Sequence, residues 1–253
     1  MRLALSALAL LSCPLALLPS QSLAGDPPLR FSIAESWTMP LVQLEQRQPT
    51  QGILYDMMQS LAQQLGRHAE YQLFPRLRVG LAMERGDVDI RCYAAQAWQP
   101  GLSGDYVWSL PMIMQRDVLV ARAGDIGPVN PAHLRDQAIG TVLGYVYRTL
   151  EQQFSHGQLS RDDARSQDQV LEKLVAGRYR YAVTNQLSLD WFNRHLPAEQ
   201  KLQEVALLEE QGLGCYVRND PALPVQRILR TLLRMKMSGE MDRLIEKYNG
   251  IGN

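Results

Sequence analysis

The chain has 253 residues, 46% of them hydrophobic and 21% charged, an ordinary globular balance with enough length to bury one large core or two modest ones. Twenty-six basic residues offset 26 acidic ones and no basic stripe is visible, which argues against a nucleic-acid partner.

The first 24 residues read as a signal peptide. Met1-Arg2 is a short positive start, Leu3 to Leu18 an apolar run, and Ser22-Leu23-Ala24 a small-x-small cleavage pattern before Gly25. A retained membrane anchor is disfavoured because Pro14 and Pro19 interrupt a run already short for a span of ~20 apolar residues. Leu10 to Cys13 also has the form of a lipoprotein cleavage site, which would leave an apolar 14–18 tail on the mature chain. No later stretch is long and apolar enough to span a membrane, so the mature protein is expected to be soluble and periplasmic.

Leu29 to Ala34 reads as a strand, with Glu35 to Pro40 as the loop at its carboxyl end. Gly52 opens a helix to Leu65, with Leu54, Met57, Met58, Leu61 and Leu65 on one side and Gly66 as its stop. Tyr71 to Phe74 is a second strand and Leu77 to Arg85 a second helix, closed near Gly86. A buried strand from Val88 to Tyr93 then delivers polar and aromatic groups to its carboxyl end, where open α/β sheets bind ligands. Strand and helix alternate, which implies parallel pairing.

Val118 to Arg122 is an apolar strand followed by Gly124, Pro128 and a fresh α/β unit: strand Gln137 to Val142, helices Tyr147 to Phe154 and Asp168 to Ala176, strand Tyr181 to Thr184 and helix Leu187 to Arg194. Leu213 to Arg218 is a second crossover, followed by amphipathic helices Val225 to Met237 and Met241 to Tyr248. The expected architecture is therefore α/β and two-lobed with two hinge strands, lobe 1 being 25–119 plus 212–253 and lobe 2 being 120–211.

Several spaced motifs run through this order: Gly52-x-x-x-Asp56, Gly86-x-Val88-Asp89, Ser109-x-Pro111 ahead of the Asp117 to Arg122 strand, Gly140-x-Val142-x-Gly144, the Val217 to Leu223 stretch, and the Gly239 to Tyr248 tail. Together they resemble the bacterial family 3 extracellular solute-binding proteins, two-lobed type II periplasmic binding proteins best known as amino-acid receptors of ABC importers. The likeness covers the mature chain and rests on order and spacing. It implies a monomer without cofactor that captures a small-molecule ligand between its lobes and serves an inner-membrane permease.

Carried over residue by residue, the resemblance places Gly101 where those receptors hold the ligand carboxylate with Arg. Gln96 and Trp98 replace the Ser and Thr beside that Arg, Tyr145 replaces a further Thr, and Asn185 replaces the Asp that pairs with the ligand ammonium. Both charged anchors of an amino-acid receptor are thus absent.

Other residues offer replacements. Trp37, Trp98 and Trp108 fall in loops at the cleft ends of first-lobe strands, with Tyr106 beside them and Tyr145 and Tyr147 facing them. Such rings suit a flat or cationic ligand, or else pack the lobe edges. Arg76 either meets an anionic ligand or is a solvated surface residue. Arg91 lies inside an apolar strand, where an unpaired charge costs several kcal/mol. It therefore either pairs with Glu35 on the neighbouring strand or opens onto the cleft.

Of the three cysteines, Cys13 leaves with the signal peptide, so the mature chain keeps Cys92 and Cys215 in an oxidising compartment. The family fold sets their strands side by side, which implies a disulfide, with two separate buried thiols as the alternative. His68, His133, His156 and His195 have no partner at metal-ligand spacing, and no nucleophile motif is present, so neither a metal site nor catalytic residues are expected. Three functions stay open: a receptor for an importer, a ligand-sensing module for a membrane signalling protein, or an enzyme on the same scaffold, as in cyclohexadienyl dehydratase, with Glu35 and Arg91 as the visible titratable pair.

Overall fold

The computed structural model describes residues 26–99, 105–124 and 127–249. The proposed signal peptide and Gly101 lie outside the described residues. No described helix is long and apolar enough to cross a membrane.

The first lobe is built on three parallel strands, β1 (Leu29–Ala34), β4 (Ala69–Phe74) and β5 (Ile90–Ala94), with β1 in the middle. A hairpin of β2 (Gln43–Glu45) and β3 (Gln48–Gln51) precedes α1 (Ile53–Gln64). That helix buries Ile53, Leu54, Met57, Met58, Leu61 and Ala62, an i, i+1, i+4, i+5 spacing that keeps one face on the core. Gly52 starts it at φ 125°, and a Cβ there would sit 2.4 Å from the Leu41 carbonyl oxygen, so only glycine fits. Helix α2 (Val79–Glu84) leads into β5.

The second lobe has its own parallel set, β8 (Gln137–Val142), β9 (Leu159–Ala164) and β10 (Tyr181–Asn185), with β8 between the other two. Helices α3 (Arg148–Ser155), α4 (Gln167–Val175) and α5 (Gln186–Asn193) cover it. Two apolar clusters, one around Val120, Val142 and Leu171 and the other around Leu119, Ile139 and Leu150, line its two faces.

Two long strands pass between the lobes. β7 (Ile113–Arg122) and β11 (Leu202–Arg218) pair antiparallel from Leu202 opposite Arg122 to Leu213 opposite Ile113. β7 then pairs with β10, while the far end of β11 pairs with β5 and with β6 (Tyr106–Trp108). The sheet order is β4-β1-β5-β11-β7-β10-β8-β9. Helices α6 (Val225–Met237) and α7 (Glu240–Asn249) return to the first-lobe core beside α1.

Besides β6, a short strand over Tyr106 to Trp108 where a loop is expected, three features differ from the sequence reading. β9 carries Arg161, Asp162 and Asp163, and in the first half of β11 the short apolar run Val205 to Leu208 is flanked by Gln203, Glu204, Glu209 and Glu210, so neither shows a strand-length apolar run or a clean alternation. Both have a solvent-facing side: β9 pairs with β8 alone, and its Asp162 is satisfied by Lys173 and Arg178. The β2–β3 hairpin is too short and polar to register as strand.

Two covalent or ionic ties fix the first lobe. Asp89 is buried and accepts from the Arg30 backbone N–H at 3.1 Å, the Arg30 guanidinium at 2.5 Å and Arg218 at 3.1 Å, joining β1, the approach to β5 and the end of β11. Burial alone would raise its carboxyl, but these hydrogen bonds outweigh burial and hold it below the ordinary value. The second tie is a disulfide: Cys92 and Cys215 face each other on β5 and β11 and are bonded across 123 residues.

Replacing both cysteines by serine is expected to lower the unfolding free energy by ~4 to 5 kcal/mol in the chain-entropy account of so long a loop. Urea titration measures this. Alkylation of the non-reduced protein should label neither Cys92 nor Cys215, and two labelled thiols would contradict the bond.

Candidate functional site

The carboxyl ends of β1 and β5 point at the carboxyl ends of β8 and β10, with β7 between, and enclose a cavity of about 380 Å³. The loop after β1 contributes Ser36, Trp37 and Thr38, and the turn after β4 contributes Arg76. β5 supplies Arg91 and Tyr93, and Trp98 follows on a short helical turn. From β7 come Gln115 and Asp117. The second lobe adds Tyr145, Tyr147 and Arg148 before and at the start of α3, and Thr184, Asn185 and Ser188 where β10 turns into α5.

Polar contacts bridge the lobes around this cavity. The Ser36 and Tyr145 hydroxyls are 3.2 Å apart, Thr38 Oγ1 donates to Asp168 at 3.0 Å, and Arg148 donates to the Ala97 carbonyl. The Arg76 guanidinium lies 5.7 Å from the Trp98 ring and 5.6 Å from the Tyr145 ring, so one cation spans aromatic groups of both lobes. Arg161 braces the second-lobe wall by donating to the carbonyls of Tyr145 and Val142 at 3.0 Å and lying over the Tyr147 ring. The Tyr147 hydroxyl accepts from the Val142 N–H at 2.8 Å.

Arg91 is 3% exposed. It lies over the Tyr216 ring and donates to the Tyr216 hydroxyl at 3.4 Å. Among the described residues no carboxylate comes within ion-pair distance of it. Two residues further on, Tyr93 adopts φ 59°, an unfavourable backbone for an aromatic residue, and packs edge-on against Trp37 at 5.9 Å. Its hydroxyl is buried without a hydrogen-bond partner among the described residues, as is Oε1 of Gln115.

Among the described residues Asp117 is the single carboxyl in the cavity wall. Burial pushes its pKa up to about 7, a hydrogen bond from Gln115 Nε2 at 2.6 Å works against that rise, and Glu209 adds to it. Burial also raises the phenols of Tyr93 and Tyr145, the latter against a hydrogen bond with Ser36. Asp168 is raised by burial too, opposed by its bond from Thr38.

Seven of the residues singled out in the sequence line this cavity: Trp37, Arg76, Arg91, Trp98, Tyr145, Tyr147 and Asn185. Three do not. Glu35 turns to Arg47 at 2.7 Å, so the expected Glu35–Arg91 pair is not formed. The Gln96 side chain is exposed. Trp108 packs on Tyr216 at 4.7 Å, one strand further from the cavity than Arg91, because β6 and β5 pair with opposite edges of β11. Asn185 is spoken for as well, since its Oδ1 accepts from the Ser188 N–H at 2.9 Å and caps α5. The sequence reading missed Tyr93, Gln115 and Asp117. Asp117 carried a signal, a lone acid heading an apolar strand.

Among the described residues, no group of three or more His, Cys, Asp or Glu side chains is placed to hold a metal. Two α/β lobes, two connecting strands and a cavity between them make this a two-lobed periplasmic-binding-protein fold of type II.

Solved structures agree. The chain is similar to a mutant of ArgBP from T. maritima (16% identity over 88% of this chain and 95% of that one, TM-score 0.71). It is similar to the GluR0 ligand-binding core from Nostoc punctiforme in complex with L-glutamate (18%, 88% and 100%, TM-score 0.70). A third likeness is to AncCDT-1, an ancestral amino-acid-binding protein and precursor of cyclohexadienyl dehydratase (17%, 88% and 95%, TM-score 0.70). No family model and no curated protein matches the sequence.

Two outcomes follow from the electrostatics. Arg91→Met keeps the side-chain stem while removing a buried cation that no carboxylate neutralises, so the melting temperature of the ligand-free protein should hold or rise. A fall of several degrees would instead mark Arg91 as a structural brace. For Asp117 the folded pKa stands above the ordinary 3.8, so ionisation is disfavoured in the fold. Its contribution to stability is fully present below about pH 4 and is lost as pH rises through about 7. Asp117→Asn should therefore be more stable than the parent above pH 7, by at most a few kcal/mol, with the two converging by pH 4 in denaturant titrations.

Proposed function

We propose that the chain is an exported solute-binding protein that closes two lobes over a small polar metabolite in the periplasm and presents it to the inner-membrane permease of an ABC-type importer. In this reading the first 24 residues are the cleaved signal peptide, 25–119 and 212–253 form lobe 1, 120–211 form lobe 2, and the mature protein acts as a monomer. The observation that carries it is the cavity of about 380 Å³ whose wall is shared between both lobes and whose rim is closed by contacts from one lobe to the other. Such a volume, lined by rings with a few charged groups, is that of a small-molecule site. The solved structures with this fold include proteins that bind arginine and glutamate.

An enzyme on the same scaffold is the second reading, favoured by the likeness to a dehydratase precursor. Among the described residues Asp117 is the one carboxyl of the cavity wall and no histidine lines it, an arrangement that suits binding better than a paired acid and base. A sensing module would close in the same way and differ only in its membrane partner. Affinity capture from detergent-solubilised inner membrane separates a permease from a signalling protein. Mass spectrometry of a ligand recovered chemically altered after incubation would favour the enzyme.

A thermal-shift screen of metabolites tests the receptor reading directly. With the solute so found, Trp98→Ala and Tyr145→Ala should each weaken binding by ~2 kcal/mol or more, since both rings stand at the centre of the cleft, while ligand-free melting changes little. Unchanged calorimetric affinity in both variants would remove this cavity from the function.

A further inference from the structure

The charges around the cavity are unequal. Among the described residues, three guanidinium groups, Arg76, Arg91 and Arg148, stand in its wall against one carboxyl, Asp117. Arg148 is engaged with the Ala97 carbonyl and Arg76 with two rings. Arg91 has only a phenol for company, and it is almost wholly withdrawn from water. A desolvated cation of this kind calls for an anion, and among the described residues the protein provides none at ion-pair distance. The amino-terminal ends of α3 and α5, which meet the cavity at Arg148 and Asn185, add positive potential of the same sign.

Two of the places that would receive a ligand cation are already engaged. Asn185 is neutral, and its oxygen is used on the Ser188 N–H. The rings of Trp98 and Tyr145, which would attract an ammonium group, already hold Arg76 between them. The aromatic wall continues through Trp37, Tyr93 and Tyr147, so the body of the ligand meets largely apolar surface.

Resting on the solute-binding reading above, we propose that the site takes a small organic carboxylate that bears no ammonium group, anchored by Arg91. The carboxylate supplies the counter-charge that Arg91 lacks, and the rest of the molecule lies against the rings. Asp117 fits the same picture: its raised pKa lets it carry a proton near neutrality and donate to an oxygen of the ligand.

The test uses the mature protein and three matched pairs that differ only by an amino or a hydroxyl group: L-phenylalanine and 3-phenyllactate, L-leucine and 2-hydroxyisocaproate, L-glutamate and 2-hydroxyglutarate. Affinities are read by titration calorimetry after a thermal-shift survey. At least one hydroxy acid should bind roughly tenfold or more tightly than its amino partner, and Arg91→Met, shown folded by circular dichroism, should abolish that binding. An amino acid that binds as tightly as its hydroxy partner, or more tightly, overturns the inference and leaves the receptor reading standing. If none of the six binds, the inference falls, and if the wider metabolite screen is also silent the receptor reading falls with it. Hydroxy-acid binding that survives Arg91→Met would overturn the assignment of the anchor.

Discussion

The long antiparallel ladder of β7 on β11 is the constraint from which the site follows. One end of the ladder belongs to the second-lobe sheet, where β7 meets β10, and the other to the first, where β11 meets β5. Because the strands are continuous, the side chains at the middle of the ladder must stand where the lobes face each other. On β7 these are Gln115 and Asp117. On the β5 side, the residues paired with β11 are Ile90, Arg91, Cys92 and Ala94, and the register shift between the last two leaves Tyr93 unpaired. The oppositely charged groups of the cavity are thus placed by the connection itself. Register shifts in β11 between Glu204 and Ala206 and between Leu207 and Glu209 add local twist to that connection, as bulges do.

Unfavourable local choices gather at this one place. A buried guanidinium without a carboxylate, a tyrosine with positive φ, an unpartnered phenol and a carboxyl raised toward neutrality all border the same cavity. Each would be selected against in an ordinary core, and their concentration beside a cleft is the pattern expected where local stability yields to binding. The neighbouring positions do the opposite. Asp89, close before Arg91, is held by two arginines, and Cys92, directly after it, is bonded to Cys215. β5 is therefore anchored on both sides of its weakest residue.

Most helices and the parallel strands were legible because their apolar spacing is set by the face they bury, as in α1 and β5. The charged β9 and the first half of β11 were not, since their stability comes from ladder bonds and side-chain ion pairs that periodicity does not register. The same blind spot explains the Glu35 error. Arg47, its actual partner, sits in the turn of an unrecognised hairpin, so it never entered the comparison. Arg91 stood out as a charge in an apolar run, but which group faces it depends on tertiary pairing. Trp108 shows the limit of loop position as a guide: it lies in a short strand opposite Tyr216, so β11 stands between it and Arg91. The disulfide was reachable only through the resemblance, because nothing local in the sequence brings Cys92 to Cys215.

The lobes are joined by apolar packing of Leu187 and Trp191 on the first-lobe core and, around the cavity, by polar contacts that are not ion pairs. Ser36 with Tyr145, Thr38 with Asp168 and Arg148 with a carbonyl contribute on the order of 1 kcal/mol each at net, and the Arg76 sandwich about as much again. On the closing motion proposed above, Arg91 and Asp117 would pass from water into the lobe interface, which works against those gains. A solute whose charge answers Arg91 converts the unfavourable part of closure into a favourable one, so binding and closure become a single equilibrium. A ligand can shift that equilibrium only by its differential affinity for the closed form. On the proposed reading that difference is concentrated in Arg91, because it is the group whose surroundings change from water to protein without a partner. Selectivity and motion would then share one origin: a molecule that cannot neutralise Arg91 leaves the lobes without a reason to stay shut.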